Sequence, residues 1–227
     1  MGRGKVQFNW AGASAKSDWM RMIQPHSGGG KGFYFIPEIG EEILVGFEGN
    51  NAQNPYVLGS QYNGSKSSGY ADGENNVKAI HTRSGTKIIM KDSEGSILIE
   101  DPSGNTWQMD GQGNISVNAP NDITMNAGGS ISMTAGKNIN SSATMNISES
   151  AGVNHSVVAG AIMIQNAGGD YRLMAANIFE EAKGERKSKA KEVSDESKDK
   201  KVTSKNKNEI HTKGDFENNG GESTRMH

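Results

Sequence analysis

The chain of 227 residues is 33% hydrophobic and 6% aromatic, which excludes a single large enclosed core and leaves disorder or a core shared between chains. Its formal net charge of −2 excludes a global attraction to nucleic acid or membranes, and the absence of cysteine excludes disulfides and thiolate chemistry. No apolar run approaches the roughly 18 residues of a membrane helix, and no signal peptide is recognisable, so any export is expected to proceed without a cleaved leader.

Residues 1–63 have the most globular composition and are predicted to form a small β-barrel. Alternating or continuous apolar residues indicate five strands, in KVQFNW (5–10), WMRMIQP (19–25), FYFIP (33–37), EEILVGF (41–47) and PYVLGSQY (55–62). Gly, Pro and Asn separate these strands, as is typical of a small barrel. The aromatic residues expected in its core are Trp10, Phe33, Phe35 and Tyr56.

A polar, glycine-containing segment, residues 64–80, is predicted to be a linker. Residues 81–114 then carry three apolar runs, KIIMK, SILIED and NTWQM. The turns after or between them contain Gly95, Gly104 and Gly113, which are nine residues apart. Short strands interrupted at a fixed interval indicate the start of a repeat architecture.

Residues 115–179 repeat every eight residues. One column begins with Ile115, a second with Val117, and a third holds alanine at every eighth position from Ala119 to Ala175, often followed by glycine. Because residues i, i+2 and i+4 of a strand share a face, each octad is predicted to form one short strand and one bend. The predicted core residues of the first two columns are Ile115, Val117, Ile123, Met125, Ile131, Met133, Ile139, Ile147, Val157, Met163, Tyr171, Leu173 and Phe179.

One octad by itself is not expected to be stable. Burying its two sizeable apolar side chains contributes roughly 1.5–3 kcal/mol each, whereas ordering eight residues costs roughly 1 kcal/mol or more per residue. Stacked octads can share an interior, but a segment of eight residues covers only one side of a triangular tube. We therefore predict that three copies intertwine, each supplying one side, as a trimeric triple-stranded β-helix.

Residues 180–227 form a polar tail with 12 basic and 11 acidic side chains and few apolar ones. Three interpretations remain open: a disordered polyampholyte, a helix without an apolar stripe, or a continuation of the β-tube. Val202 and Ile210 keep the spacing of eight residues, which favours the tube.

Several segments resemble VgrG, the spike protein of type VI secretion systems. GKGFYFIPEIGEEILVGFEGNNAQNPYVLGSQYNG (30–64) closely resembles the OB-fold module of that family and the matching part of contractile-phage tail spikes. KVQFNW and WMRMIQP resemble its opening strands, and HTRSGTKIIMKDSEGSILIED (81–101) resembles its passage from barrel to β-helix. The resemblance extends to about residue 180.

This resemblance implies an all-β protein with an N-terminal OB barrel and a homotrimeric needle that punctures membranes and delivers effectors in bacterial competition. The implied partners are two further copies, a tube (Hcp-like) protein and spike base below, and a PAAR-like tip protein or effectors above. Contact with the target-cell membrane would be transient. The implied route is assembly in the bacterial cytoplasm followed by secretion into the extracellular space or the target cell.

The histidines form no metal-binding spacing within one chain. On a three-fold axis, however, each residue is present three times. His155 replaces isoleucine in the first column, close to Glu149 in the second, so three imidazoles could hold water, an anion or a metal ion. A neutral, hydrogen-bonded interior histidine is the alternative. His227, near the predicted tip, is the other axial candidate, and no cofactor beyond such an ion is expected.

Other chemistry is not expected. SGGGKG (27–32) departs from a phosphate-binding loop because Gly32 follows Lys31 where Ser or Thr is required. An OB fold can bind oligonucleotides, but residues 1–63 contain no basic cluster, so no nucleic-acid partner is predicted. No Ser/His/acid arrangement can be placed, so no enzyme is predicted. The alternative functions are a contractile-phage tail spike, an extracellular fibre that binds a receptor or glycan, and a cell-wall hydrolase.

Overall fold

A computed structural model describes residues 2–217. Every regular element in this range is a β-strand except one turn of 3-10 helix at Glu48–Asn50, which agrees with the predicted all-β class. No helix within the described range is long and apolar enough to cross a membrane. The chain divides into two compact units, Met1–Asn140 and Ser141–His227.

The first part of the first unit contains a four-stranded sheet and a separate small hairpin. Its strands in chain order are β1 (Arg3–Gly4), β2 (Met20–Met22), β3 (Ser27–Gly28), β4 (Lys31–Gly32), β5 (Glu42–Phe47) and β6 (Pro55–Gln61). The sheet order is β1-β2-β6-β5, with β2 parallel to β6 and the other pairs antiparallel. The strands β3 and β4 form the hairpin, so the SGGGKG run is a turn between short strands, as predicted.

A small apolar cluster lies against this sheet. Val6, Met20 and Val57 are its buried members, and four partly buried residues pack against them, Phe8, Met22, Ile43 and Val45. No other hydrophobic side chain in residues 2–217 is buried within the chain. The enclosed core is therefore small for a chain of this length.

Two of the predicted barrel strands are wrong. Residues 33–37 are not a strand, because the side-chain amide of Gln24 donates a hydrogen bond to the Phe35 carbonyl, at 2.9 Å, where a neighbouring strand would pair. Residues 5–10 are not a strand either, because the backbone groups of Val6 are hydrogen-bonded to Ser17 rather than to a neighbouring strand. Trp10, expected in the core, is exposed and stacks on Phe8.

The second part of the first unit is an antiparallel meander of five strands in sequential order. These are β7 (Val77–His81), β8 (Lys87–Lys91), β9 (Ser96–Glu100), β10 (Thr106–Met109) and β11 (Ile115–Asn118). The three strands predicted from apolar runs are confirmed. The predicted linker 64–80 ends too late, because β7 pairs in full register with β8, from Val77 opposite Lys91 to His81 opposite Lys87.

Four hairpin turns connect these strands and share one design. Each turn begins with Thr or Asp, and its fourth residue is a glycine with positive φ, at Gly85, Gly95, Gly104 and Gly113. Asp101 shows why the first residue matters, because its carboxylate accepts hydrogen bonds from Ser103 and Asn105 across the turn. Glycine tolerates the positive φ that closes such a turn.

Beyond β11 the described chain is extended and interrupted by bends. In the first unit the bends begin at residues 120, 128 and 136. In the second unit they begin at 144, 152, 160, 168 and 176, and then at 183, 191, 198, 205 and 213. The interval is eight residues up to 176 and seven or eight beyond it. No helix forms in residues 180–217, so the helical interpretation of the tail is wrong over that range.

Candidate assembly surface

One face of the five-stranded sheet carries an apolar row that crosses every strand. The register places Ile88 opposite Ile80 and Ile99, and Trp107 opposite Ile99 and Val117. A second row on the same face comprises Met90, Ile97, Met109 and Ile115. Ile80, Ile99, Trp107 and Val117 each expose between 42% and 49% of their surface, so no part of the described chain covers this row.

The octad columns continue from this face in the first unit. Ile115 and Val117 end the two rows, and the predicted core residues that follow are half-exposed, namely Ile123, Met125, Ile131, Met133 and Ile139. The described chain thus presents a periodic apolar surface to solvent. Monomeric soluble proteins rarely leave such contiguous apolar surface open, which marks it as a contact surface.

In the second unit, exposure separates column residues from the other apolar residues. The column members Ile147, Val157, Met163, Tyr171 and Leu173 have relative exposures of 55–64%. Apolar residues at other places in the octad are more open, at 73–90%, namely Met145, Val153, Val158, Ile162, Ile164 and Met174. The column side chains are therefore the less exposed apolar residues of this unit.

Phe179 differs in exposure from the other predicted column residues. Its relative exposure is 94%, whereas that of Ile178 is 52%, within the range of the column residues. The reason is the bend at Ala176, which involves one residue where the preceding bends involve two. After this bend the less exposed position comes one residue earlier, at Ile178 rather than at the predicted Phe179.

The backbone of the extended region is unpaired within the chain. Among the described residues, none from 119 to 217 makes a backbone–backbone hydrogen bond. Extended segments with open N–H and C=O groups require partners, because an unpaired backbone group costs free energy when water is excluded. The same segments expose the apolar columns. Strands from outside this chain could both pair the backbone and cover these columns.

Polar residues that interrupt the columns contact one another. The His155 Nε2 atom lies 3.0 Å from Glu149 Oε2, and the Tyr171 hydroxyl donates a hydrogen bond of 2.8 Å to Gln165 Oε1. In both pairs a second-column residue meets the first-column residue of the next octad. The His155 ring is thus within hydrogen-bonding distance of a carboxylate of the same chain.

Metal binding by a single chain finds no support among residues 2–217. No group of three His, Asp or Glu side chains in that range is arranged to hold an ion. His155 remains an axial candidate only in an assembly that triples it. His227 lies outside the described residues.

Comparisons with known proteins match the N-terminal part of the chain. Residues 1–62 match the family of type VI secretion system/phage-baseplate injector OB domains. The spike protein VgrG1c of Pseudomonas aeruginosa is 33% identical over 90 residues, which is 38% of this chain and 12% of that protein. The spike protein VgrG4b of the same species is 32% identical over 110 residues, 45% of this chain and 13% of that protein.

A third relative is the actin cross-linking toxin VgrG1 of Vibrio cholerae, 31% identical over 83 residues, which is 35% of this chain and 8% of that protein. The matched regions thus span only about a tenth of the length of these relatives. The injector OB domain and the recurrent matches to VgrG proteins confirm that this chain resembles VgrG-type spike proteins.

Proposed function

We propose that the chain is the OB collar and needle of a homotrimeric spike in a contractile injection system of the type VI secretion class. The observation that carries the proposal is the coincidence of exposed apolar columns and unpaired extended backbone from residue 119 to 217. Three intertwined copies would bury the columns and pair the backbone in one step. The similarity to spike proteins supports a structural role in such an apparatus.

The mechanical argument concerns stiffness. In a closed tube of stacked strands about 4.7 Å apart, every strand is hydrogen-bonded to neighbours above and below. Such a tube has no lateral edge that can fray, so an axial push is carried by many hydrogen bonds together. The outward positions of the octads are mostly Ser, Asn, Thr and Gly, which would limit adhesion of the needle to the membrane that it crosses.

The proposed partners follow from this role. Two further copies of the chain complete the tube, an Hcp-like tube protein and a spike base lie below the OB collar, and a PAAR-like tip protein or effectors lie above. The spike would be assembled in the bacterial cytoplasm and secreted together with its cargo. It would perform no catalysis of its own.

A contractile-phage tail spike is the second candidate, because the matched OB family includes phage-baseplate injectors. A spike of either source would have the same needle physics. The matched family and relatives give no comparable support to a glycan-binding fibre.

Sedimentation equilibrium of the full chain tests the proposed function. We expect a species of three copies at micromolar concentration, and a scattering profile with an elongated shaft. The matched variants are Ile131→Asp, in the first column, and Ser132→Asp, its neighbour on the opposite side of the strand. Only Ile131→Asp should shift the protein toward the monomer. A native chain that sediments as a folded monomer would refute the proposal.

A further inference from the structure

The regularity of the octads creates a problem for any intertwined assembly. The first octads present nearly the same side chains, with Ile followed by Val or Met and then Ala at 115–119, 123–127 and 131–135. If one copy slides by one octad, most apolar contacts of these octads are replaced by equivalent ones. A repeating strand with an apolar face alone therefore specifies its axial register weakly.

The polar pairs interrupt this regularity at two defined layers of the second unit. Glu149 and His155 are in contact at 3.0 Å, and Gln165 and Tyr171 are in contact at 2.8 Å. In both cases the two residues are six apart, which is the spacing between the second column of one octad and the first column of the next.

The charged tail contains two further pairs of the same kind. Arg186 and Glu180 form an ion pair of 2.7 Å and are again six residues apart. Lys200 and Asp195 form an ion pair of 2.7 Å but are five residues apart. Measured between the last residues of successive bends, the repeat is eight residues from 176 to 184 but seven from 191 to 198, so the spacing of the pair shortens with the repeat.

Because the spacing of the pairs follows the repeat, the paired residues occupy fixed positions within each repeat. Glu180 lies two residues after Ile178, the column residue that follows the bend at 176, and Arg186 lies three residues after the next bend, which begins at 183. All four pairs thus join the second-column position of one repeat to the first-column position of the following one. An accidental surface ion pair would not follow the repeat in this way.

We infer that these pairs set the axial register of the three copies and are specificity-determining contacts of the assembly. The inference rests on the proposed trimer. In register, each layer contains three equivalent pairs and every polar group has a partner. After a slip of one octad, one copy's His155 would lie in the layer of Ile147 or Met163 of the other copies. Polar groups among apolar side chains are costly, and single buried polar positions are known to fix register in intertwined helices.

Spin labelling can measure the register directly because the chain contains no cysteine. A single nitroxide on Ser148→Cys lies between Ile147 and Glu149 in sequence and on the opposite side of the strand. A trimer in register holds its three labels at one height, so pulsed electron paramagnetic resonance should give a single distance between labels. A slipped copy adds a second, longer distance between labels.

The test variant replaces all four polar pairs by column residues, with Glu149→Val, His155→Ile, Gln165→Val, Tyr171→Ile, Glu180→Val, Arg186→Ile, Asp195→Val and Lys200→Ile. We expect it to remain a trimer of equal or higher melting temperature, because well-packed apolar residues can replace buried polar pairs without loss. Its distance distribution should gain the slipped component. The matched control, Met133→Ile with Val157→Ile, changes apolar column residues alone and should keep one distance.

Each outcome decides between the claims. A variant that lacks all four pairs and keeps the single native distance would overturn the register inference while leaving the proposed trimer intact. Loss of the trimer in the variant would also overturn it, because the pairs would then be needed for stability rather than for register. A native protein that is monomeric in sedimentation would instead refute the proposed function.

Discussion

Asp101 and Asp110 open successive hairpin turns, and their carboxylates organise those turns. The Ser103 hydroxyl and the Asn105 side chain donate hydrogen bonds to Asp101, and they lower its pKa to about 2 from an ordinary 3.8. The pKa of Asp110 is lowered chiefly by the hydrogen bond from the side-chain amide of Asn114. Hydrogen bonds to the ionised form favour that form.

This lowered pKa predicts a defined pH response. Because the folded pKa of Asp101 lies below the unfolded value, its carboxylate stabilises the fold above pH 3.8, and the contribution is lost as the pH falls toward about 2. Carbon-detected NMR titration of the Asp101 carboxyl should show the low value. Ser103→Ala, which removes one donor, should move the pKa upward, and an unchanged pKa in that variant would contradict the assigned cause.

Gly104 gives a second prediction at the same scale. Its φ is +92°, and a Cβ atom there would lie 3.3 Å from the Pro120 ring, so Gly104→Ala is strained in conformation and in space. We expect a loss of about 1–2 kcal/mol in the free energy of unfolding per chain. The matched control is Gly129→Ala, where a Cβ meets nothing within 4 Å. Urea titrations at equal protein concentration compare the two, and equal losses would contradict the role of the turn.

At the scale of elements, the first column should be intolerant of charge. Ile131→Asp would place an unpaired carboxylate at the same level in each copy, and breaking the apolar layer with an uncompensated charge costs roughly 3–5 kcal/mol. Ser132→Asp should change the free energy of unfolding by less than about 0.5 kcal/mol, since it is a surface substitution. Thermal unfolding at several protein concentrations measures both. Similar melting temperatures for the two variants would show that column residues are not buried.

The strands also show which elements can be predicted from local sequence patterns. The strands at 87–91, 96–100 and 106–109 follow from apolar runs between glycine turns. The predicted strand at 33–37 is absent because the Gln24 side chain, rather than a neighbouring strand, donates a hydrogen bond to its backbone. No local pattern identifies such a distant donor. The linker was drawn too long because Val77 and Ala79 gain their strand conformation only from pairing with β8.

At the scale of the whole molecule, we expect trimer assembly to depend more on the phase of the repeat than on the number of octads. Deleting residues 128–135 removes one octad from bend to bend, so every later column residue keeps its place. Deleting residues 128–131 alone removes half of an octad and separates the bends from the columns. We expect the first variant to remain trimeric with a shaft shorter by one layer, and the second to lose the trimer. Sedimentation and small-angle scattering compare them, and equal behaviour would contradict the octad as the structural unit.

The candidate site was predicted in part. The columns were visible in the sequence because side chains two residues apart share a strand face, and Glu149 was already placed beside His155 in the neighbouring column. The sequence did not predict that Ile178 would be less exposed than Phe179, because this depends on whether the bend at 176 involves one residue or two. The pairing of Glu180 with Arg186 was missed, although their spacing of six residues was a usable signal.

The sequence by itself determined the all-β class, the turn glycines and the interval of eight residues, and it predicts a shared interior. These properties are local or compositional, since they depend on which neighbours along the chain can alternate, bend or be buried. Only the tertiary structure decided that Gln24 replaces a strand, that residues 77–118 form one sheet, and that polar column residues meet in pairs whose spacing follows the repeat. Those outcomes depend on contacts between residues that are distant in the chain or separated by a bend, and local sequence patterns do not specify such contacts.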